Sequence, residues 1–114
     1  IKDAQVGLDQ KELQLDTYRA RMHLGYIGSR YPNLVKGAIT VLIKGLYSKA
    51  DWVREGSVWA LGAIGAAKRS LVESAIPKIK ELSKNDPHPY TRWLSCERLN
   101  EINQVEFGRC SLTR

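Results

Sequence analysis

The sequence predicts an all-α fold, an α-α superhelix in which antiparallel helix pairs stack side by side. An internal repeat indicates this first: residues 24–46, moved by 37 positions onto residues 61–83, match at eight positions, where average composition gives about one or two. Apolar residues recur at helical spacing through both copies, and no alternating strand pattern competes with them. A weaker copy of the first half follows at an offset of 38. The identical pairs of the two full copies are Leu24/Leu61, Gly25/Gly62, Ile27/Ile64, Gly28/Gly65, Leu34/Leu71, Val35/Val72, Ala38/Ala75 and Ile39/Ile76.

The first repeat, about residues 11–47, is predicted to hold two helices. Gln10 to Ser29 forms a long helical stretch. A second helix is expected from Pro32 to about Tyr47, since proline is favoured at the first position of a helix. Apolar residues recur along it at helical spacing, which predicts one buried face. These residues are Leu34, Val35, Ala38, Ile39, Leu42, Ile43 and Leu46.

The second repeat, about residues 51–84, begins with the helix that the sequence predicts most clearly, from Asp51 to Gly65. Asp51 is the expected N-cap, because aspartate accepts hydrogen bonds from free N–H groups at a helix start. Most of the circumference of this helix is apolar, and Arg54 and Glu55 are the only charges after Asp51. Such a helix must be covered on more than one side, so we expect it between neighbouring layers of the stack.

Glycines recur at the same repeat positions of the first helices. Gly25 and Gly62 each cost a helix interior about 1 kcal/mol relative to alanine, so we expect them where two helices approach closely. Gly28 and Gly65 are expected just past the ends of these helices, where glycine is favoured.

The second helix of repeat two is predicted from about Ser70 to Lys84. This range contains Pro77, which is unfavourable inside a helix. Proline inside a helix removes a backbone hydrogen bond and clashes with the preceding turn. We therefore expect either a kink at Pro77 or a short turn at residues 70–75 followed by a new helix.

The clearest break in the chain is Asn-Asp-Pro-His-Pro at residues 85–89. Tyr90 to about Asn103 then forms the first helix of a partial third repeat, about residues 89–104. Residues 1–9 and the tail, 105–114, are expected to be frayed ends or remnants of flanking repeats. All of these segments are assigned to a single domain.

The composition is that of an ordinary globular domain: 114 residues, 43% hydrophobic and 26% charged. No stretch is long and apolar enough to cross a bilayer and no signal-peptide pattern opens the chain, so a cytoplasmic setting without membrane contact is expected. The net charge of +6, from 18 Lys and Arg against 12 Asp and Glu, favours acidic partners or nucleic acid without choosing between them. Lysine enrichment also occurs in thermophiles, independently of any ligand.

The two cysteines, Cys96 and Cys110, lie 14 positions apart and form neither a CxxC motif nor part of a Cys/His ligand set. In a cytosolic chain, cysteines of this kind are usually reduced. Unpaired structural thiols are therefore expected, in preference to a disulfide or a metal site.

A small-residue helix ending in Leu-Gly-x-Ile-Gly, then Leu-Val-x-x-Ala-Ile, then an acidic turn leading into x-Val-Arg, resembles the HEAT-repeat family of α-solenoids. Residues 75–79, Ala-Ile-Pro-Lys-Ile, are also similar to the start of an armadillo repeat. The resemblance covers about residues 18–102. It is specific for architecture and says little about function.

The resemblance implies structural roles for residues at the turns between repeats. Asp51 and Arg54 match the turn acid and the arginine that bonds within and between repeats. Asp86 and Arg92 match the same pair with a longer spacing, and Thr17 stands where repeat one would carry the arginine. The residue chemistry agrees, because a turn acid accepts hydrogen bonds from helix N–H groups and pairs with a guanidinium.

No catalytic, cofactor-binding or metal-binding residue is predicted. His23 and His88 are isolated from cysteines and acids at ligand spacing. Gly25-x-x-Gly28 and Gly65-Ala66-Ala67-Lys68 lack the spacing and the preceding strand of a phosphate-binding loop, so helix packing explains these glycines.

Lysines and tryptophans are the candidate partner-binding residues. In the HEAT-repeat family the second helices line the concave, ligand-facing side, where lysines would suit an acidic peptide or a phosphate backbone. A solvated face interrupted by Glu73 and Glu81 is the alternative. Trp59 is expected in the core or in the packing between repeats. Trp52 and Trp93, near helix starts, are candidate anchors for a partner, with the same packing roles as the alternative. The lysines are Lys36 and Lys44 in repeat one and Lys78 and Lys80 in repeat two.

We therefore expect a non-enzymatic protein-binding scaffold. The leading alternative is a nucleic-acid-binding protein that uses these lysines, including a HEAT-like DNA-repair protein, although the catalytic acid and aromatic pair of that group have no counterpart here. The resemblance also extends to HEAT-like lyases that attach bilin pigments, but no residue supports that chemistry. Self-association through apolar end faces of a short stack is also expected.

Overall fold

The computed structural model describes residues 10–104 and Cys110, with side chains from residue 19 onwards. This part of the chain contains no strand, which confirms the all-α prediction, and none of its helices is long and apolar enough to cross a bilayer. Its α-helices are α1 (Gln10–Arg30), α2 (Ile39–Gly45), α3 (Asp51–Ala67), α4 (Ile76–Asn85) and α5 (Pro89–Asn103).

The first helices of the repeats, α1, α3 and α5, pack side by side in one layer. The second α-helix of each pair packs against the first helix of the next repeat, α2 on α3 and α4 on α5. The 3₁₀ segments Pro32–Ala38 and Arg69–Leu71 pack instead on α1 and α3, the first helices of their own repeats. Each pair is thereby tied to its neighbour, as the stacked arrangement predicts.

The second helices of both repeats begin in the same way, 37 residues apart. A 3₁₀ segment precedes α2 at Ile39, and the 3₁₀ turns Arg69–Leu71 and Glu73–Ala75 precede α4 at Ile76. The prediction of one continuous helix from Pro32 was therefore wrong. In repeat two, the alternative of a short turn followed by a new helix is confirmed, because Pro77 lies in the first turn of α4, where its missing N–H costs no hydrogen bond.

The central helix α3 carries much of the core. Val58, Leu61 and Ile64 have no exposed surface, and α1, α2 and α5 all pack against this helix. The predicted position of α3 between layers is confirmed. Its apolar circumference is covered by neighbours rather than by solvent, as in the middle repeat of a stack.

Gly28 and Gly65 lie inside α1 and α3, so the prediction that they follow the helix ends was wrong. They provide room for the next repeat. A methyl group on Gly65 would come within 2.6 Å of Val72 and 2.8 Å of Ile102, and one on Gly28 would collide with Val35 and Ile64 in the same way. Because these contacts are related by the repeat offsets, the α1–α3 and α3–α5 interfaces are built alike.

Gly25 and Gly62 occupy the close approaches that the sequence predicts. A methyl group on Gly25 would lie 2.7 Å from the Cα atom of Ala60, and one on Gly62 would collide with the side chain of Arg98. Ala60 and Arg98 are themselves separated by the offset of 38. The helix-propensity cost of both glycines is thus balanced by tight helix packing.

Cys96 and Cys110 form a disulfide, so the prediction of unpaired thiols was wrong. Helix α5 ends at Asn103, and Gln104 follows in the left-handed conformation that commonly ends helices, with φ of 57°. Cys110 lies beside α5, with its Cα atom 5.8 Å from that of Cys96. Sequence spacing alone does not show this proximity. The rest of the tail, and residues 1–9, lie outside the described residues.

Candidate binding surfaces

A buried ion pair joins repeat two to the turn that follows it. The Nε and Nη2 groups of Arg54 donate hydrogen bonds to the two carboxylate oxygens of Asp86, at 2.6 and 3.0 Å. Both residues are buried, and the hydrogen bond with Asp86 raises the pKa of Arg54 above its ordinary value. Two parallel charge-assisted bonds fix the orientation of this turn relative to α3 as well as its distance from α3.

The two turns between repeats have the same internal hydrogen bonds. Arg54 Nη1 donates to the carbonyl of Ser48 at 2.8 Å, and Arg92 Nη1 donates to the carbonyl of Asp86 at 2.6 Å. The Ser48 hydroxyl accepts from the N–H of Ala50, and the Asp86 carboxylate accepts from that of His88. Ser48 is therefore the structural equivalent of Asp86, 38 residues earlier.

Asp51, which the resemblance implies as a turn acid, lies at the start of α3. The N-cap residue is Ala50, without a side-chain hydrogen bond, so the N-cap prediction for Asp51 was wrong by one position. The Asp51 carboxylate instead lies 3.4 Å from His88 Nε2 in the next turn. It keeps the favourable location of an acid in the first turn of a helix.

Arg21 is an interface residue that the sequence reasoning missed. Its Nη1 donates to the hydroxyl of Ser57 on α3 at 3.1 Å, and desolvation lowers its pKa. The available signal was its position one turn before Gly25, on the face of α1 that meets α3. Thr17, where the arginine of repeat one was expected, has its side chain outside the described part.

The four candidate lysines differ in their surroundings. Lys36, Lys44 and Lys80 are exposed, but Lys78 is partly covered. Its ammonium group lies 2.7 Å from a carboxylate oxygen of Glu81 and 4.6 Å from the centre of the Tyr47 ring. At the offset of 37, Lys36 corresponds to Glu73 and Lys44 to Glu81, so acids replace these lysines in repeat two.

Positive charge is instead concentrated in repeat one. Residues 17–50 contain six cations and no acid, whereas the rest of the sequence contains 12 cations and 12 acids. The whole net charge of +6 therefore belongs to this segment. The six cations are Arg19, Arg21, Arg30, Lys36, Lys44 and Lys49.

The three tryptophans have different environments. Trp59 lies beside Gly25, with the Arg98 guanidinium 4.7 Å from its ring centre, in the packing between repeats where it was expected. Trp93 packs partly against the core, and its ring centre lies 5.5 Å from that of Tyr90. Trp52 borders an open cleft of about 400 Å³ between the two turns. The cleft is lined by Lys49, Ala50, Asp51, Trp52, Arg54, Pro87 and His88.

Exposed large apolar side chains are concentrated on repeat one, and the sequence reasoning did not assign them to a site. Leu34 has 75% of its surface exposed, and Val41 has 55%. These side chains lie in the same segment as the uncompensated positive charge. The exposed large apolar residues of repeat one are Tyr26, Ile27, Tyr31, Leu34, Val41 and Tyr47.

Titratable side chains meet at the cleft between the two turns, which Lys49, Asp51 and His88 line in the part of the chain that the structure describes. There, no group of three or more His, Cys, Asp and Glu side chains is placed to hold a metal ion. His23 is exposed on α1, while His88 lies in the turn beside Asp51. What the described surface offers is shape, apolar area and positive charge.

Comparison with known proteins supports the architecture. Residues 53–85 match the family described as PBS lyase HEAT-like repeat, a span that begins near the start of α3 and ends with α4. Searches of curated proteins and of solved structures gave no significant match. The match to repeat two, the duplicated helix pairs and their equivalent interfaces together support a HEAT-like helical-repeat architecture.

Proposed function

We propose that the chain is a non-enzymatic protein-binding scaffold. The observation that carries this proposal is the concentration of exposed apolar side chains in repeat one, among which Leu34 has 75% of its surface exposed. Contiguous apolar surface rimmed by polar residues marks interaction sites on soluble proteins. The positive charge of residues 17–50 favours an acidic partner.

Such a scaffold works by presenting a surface that is already formed. The buried Arg54–Asp86 pair and the glycine contacts of Gly25 and Gly62 hold the helix pairs in fixed relative positions. Little backbone order is then lost on docking, so more of the contact energy is available as affinity.

Photo-crosslinking tests the proposal. Benzoylphenylalanine at Leu34 should give one protein adduct in native-host extract, whereas the same residue at Ser74, exposed in repeat two, should not. Unlabelled wild-type chain should compete for this adduct, and a Leu34→Asp chain should not. Equal adducts from both positions, or none from either, would contradict a protein-binding surface on repeat one.

Nucleic-acid binding is the second candidate, and the acid-free segment 17–50 is the observation that favours it. The pairing of Lys78 with Glu81 counts against a phosphate track along both second helices. Phosphate contacts make affinity fall steeply with salt. Retention on duplex DNA near physiological salt that is lost in a Lys36→Glu, Lys44→Glu variant would favour this candidate over the scaffold.

The cytoplasmic setting expected from the sequence has to accommodate the Cys96–Cys110 disulfide. Disulfides are rare in the cytosol of mesophiles but common inside hyperthermophiles, where lysine enrichment also occurs. We propose that the chain is located inside the cell of a hyperthermophile. Alkylating free thiols before lysis tests it: unmodified cysteines in a cytosolic fraction are expected, and a secreted location would refute it.

A further inference from the structure

We propose that the N-terminal end face of the stack binds an acidic amphipathic helix of a partner protein. This inference rests on the proposed scaffold function and names the surface and the chemistry of its ligand. We define the end face as Ile27, Tyr31, Leu34 and Val41.

The repeat offset identifies this surface as a stacking face. In repeat two, Ile64 packs against Gly28, and Lys68 donates a 3.2 Å hydrogen bond to Asn33. Lys78 lies over the ring of Tyr47. All three therefore contact the preceding repeat, and Leu71 is partly buried against the core.

The four residues of the end face are the counterparts, 37 residues earlier, of these contact residues in repeat two. Ile27 is 41% exposed, whereas Ile64 has no exposed surface. Tyr31 and Val41 are 59% and 55% exposed. Repeat one thus presents the positions through which one repeat docks onto another, and no described element covers them.

The opposite end of the stack has a different chemistry. The positions of Val58 and Gly62, which face the next repeat in α3, are taken in α5 by Cys96 and Asn100. Cys110 is bonded to Cys96 there, and the Asn100 amide donates to its sulfur at 3.5 Å. An asparagine with a covalently attached segment cannot admit a helix as closely as Gly62 admits α5.

The positive charge of residues 17–50 opposes binding of a second copy of this chain to the end face. Arg30, Lys36 and Lys44 are exposed in the same repeat, and residues 17–50 contain no acid to offset them. Two copies joined in this way would bring the exposed cations of both repeats towards each other, which opposes association. A ligand with acidic flanks gains from the same field.

The apolar contacts define the rest of the ligand. Ile64 seats against Gly28, and Ile102 seats against Gly65, so Ile27 requires a helix with a small residue opposite it. Leu34 and Val41 carry no hydrogen-bonding groups and favour an apolar ridge over a phosphate backbone. Helix-in-groove recognition uses this combination of an apolar ridge and polar flanks.

The test uses the full chain and fluorescein-labelled helical peptides with a leucine and alanine ridge, flanked by glutamate in one peptide and by lysine in its twin. Fluorescence anisotropy should show the glutamate peptide binding at least about tenfold more tightly than the lysine peptide. Leu34→Asp and Ile27→Asp should each weaken it by about tenfold, and Ser74→Asp should not. Lys36→Glu should weaken binding of the glutamate peptide more than Lys80→Glu does. Lys80 is the control position because it is exposed in repeat two.

Several outcomes would overturn the inference. Equal affinity for the two peptides would exclude the end face as the binding site. So would an unchanged affinity in a Leu34→Asp chain that has the wild-type circular dichroism spectrum. Light scattering that shows a dimer lost in Ile27→Asp would assign it to a second copy, and duplex retention lost in that variant would assign it to nucleic acid. A competed crosslink from a position outside repeat one would preserve the scaffold function while rejecting this face.

Discussion

Removing the Asp86 carboxylate should destabilise the fold by about 4 kcal/mol, because it leaves a buried cation without its partner. Arg54 is 8% exposed and Asp86 is 2% exposed. Breaking a buried pair of this kind costs about 3–5 kcal/mol. Asp86→Ala also removes the acceptor of the His88 N–H group, a bond that contributes about 1 kcal/mol.

Urea unfolding followed by tryptophan fluorescence measures this effect. Glu81→Ala is the matched control, because it removes a more exposed ion pair with Lys78 and should cost about 0.5 kcal/mol or less. If Asp86→Ala does not fold, Asp86→Asn keeps one acceptor and should show a smaller loss in the same direction.

A double-mutant cycle separates the pair from its surroundings. Arg54→Ala combined with Asp86→Ala should cost less than the sum of the single variants, with a coupling free energy of about 2–3 kcal/mol. A loss below about 1 kcal/mol for Asp86→Ala, with an unchanged dependence on urea, would refute the assigned role of the pair. So would a coupling free energy near zero.

Two further predictions concern the packing and the disulfide. Gly25→Ala should cost roughly 1–2 kcal/mol, because overpacking against the Ala60 backbone exceeds the helix-propensity gain of alanine, whereas Gly37→Ala, with open space around it, should stabilise by about 0.5 kcal/mol. Urea midpoints in the opposite order would contradict this reading. Cys110→Ser should cost about 3 kcal/mol for a loop of 14 residues. Reducing agent should lower the midpoint of the wild-type chain to that of the variant, and an unaffected wild-type midpoint would contradict the bond.

The sequence was sufficient to predict the architecture because the internal duplication indicates stacked helix pairs. The matched Ile39 and Ile76 both begin an α-helix, and the apolar circumference of α3 required neighbours on several sides. The 3₁₀ segment Pro32–Ala38 was missed because 3₁₀ and α turns give nearly the same apolar spacing over so short a stretch. Local pattern thus identified helical residues without separating the two types.

Features that depend on the path of the chain were not predictable in the same way. Pairing of Cys96 with Cys110 depends on how closely the two residues approach in the fold, which spacing does not encode. The equivalence of Ser48 and Asp86 is visible only in their shared hydrogen bonds, because a hydroxyl and a carboxylate look different in sequence. The acid-free segment 17–50 was countable, but its relation to exposed apolar side chains required coordinates.

The binding argument follows from one motif in two environments. Leu-Gly-x-Ile-Gly packs on both sides in α3, where α1 supplies Gly28 to receive Ile64. In α1 the same motif leaves Ile27 41% exposed, because no described element occupies the equivalent position before it. Local sequence cannot cause this difference, since the residues match. The exposure of Ile27 therefore reflects the lack of a described helix pair before repeat one, and it marks a surface at the positions where one helix pair docks onto another.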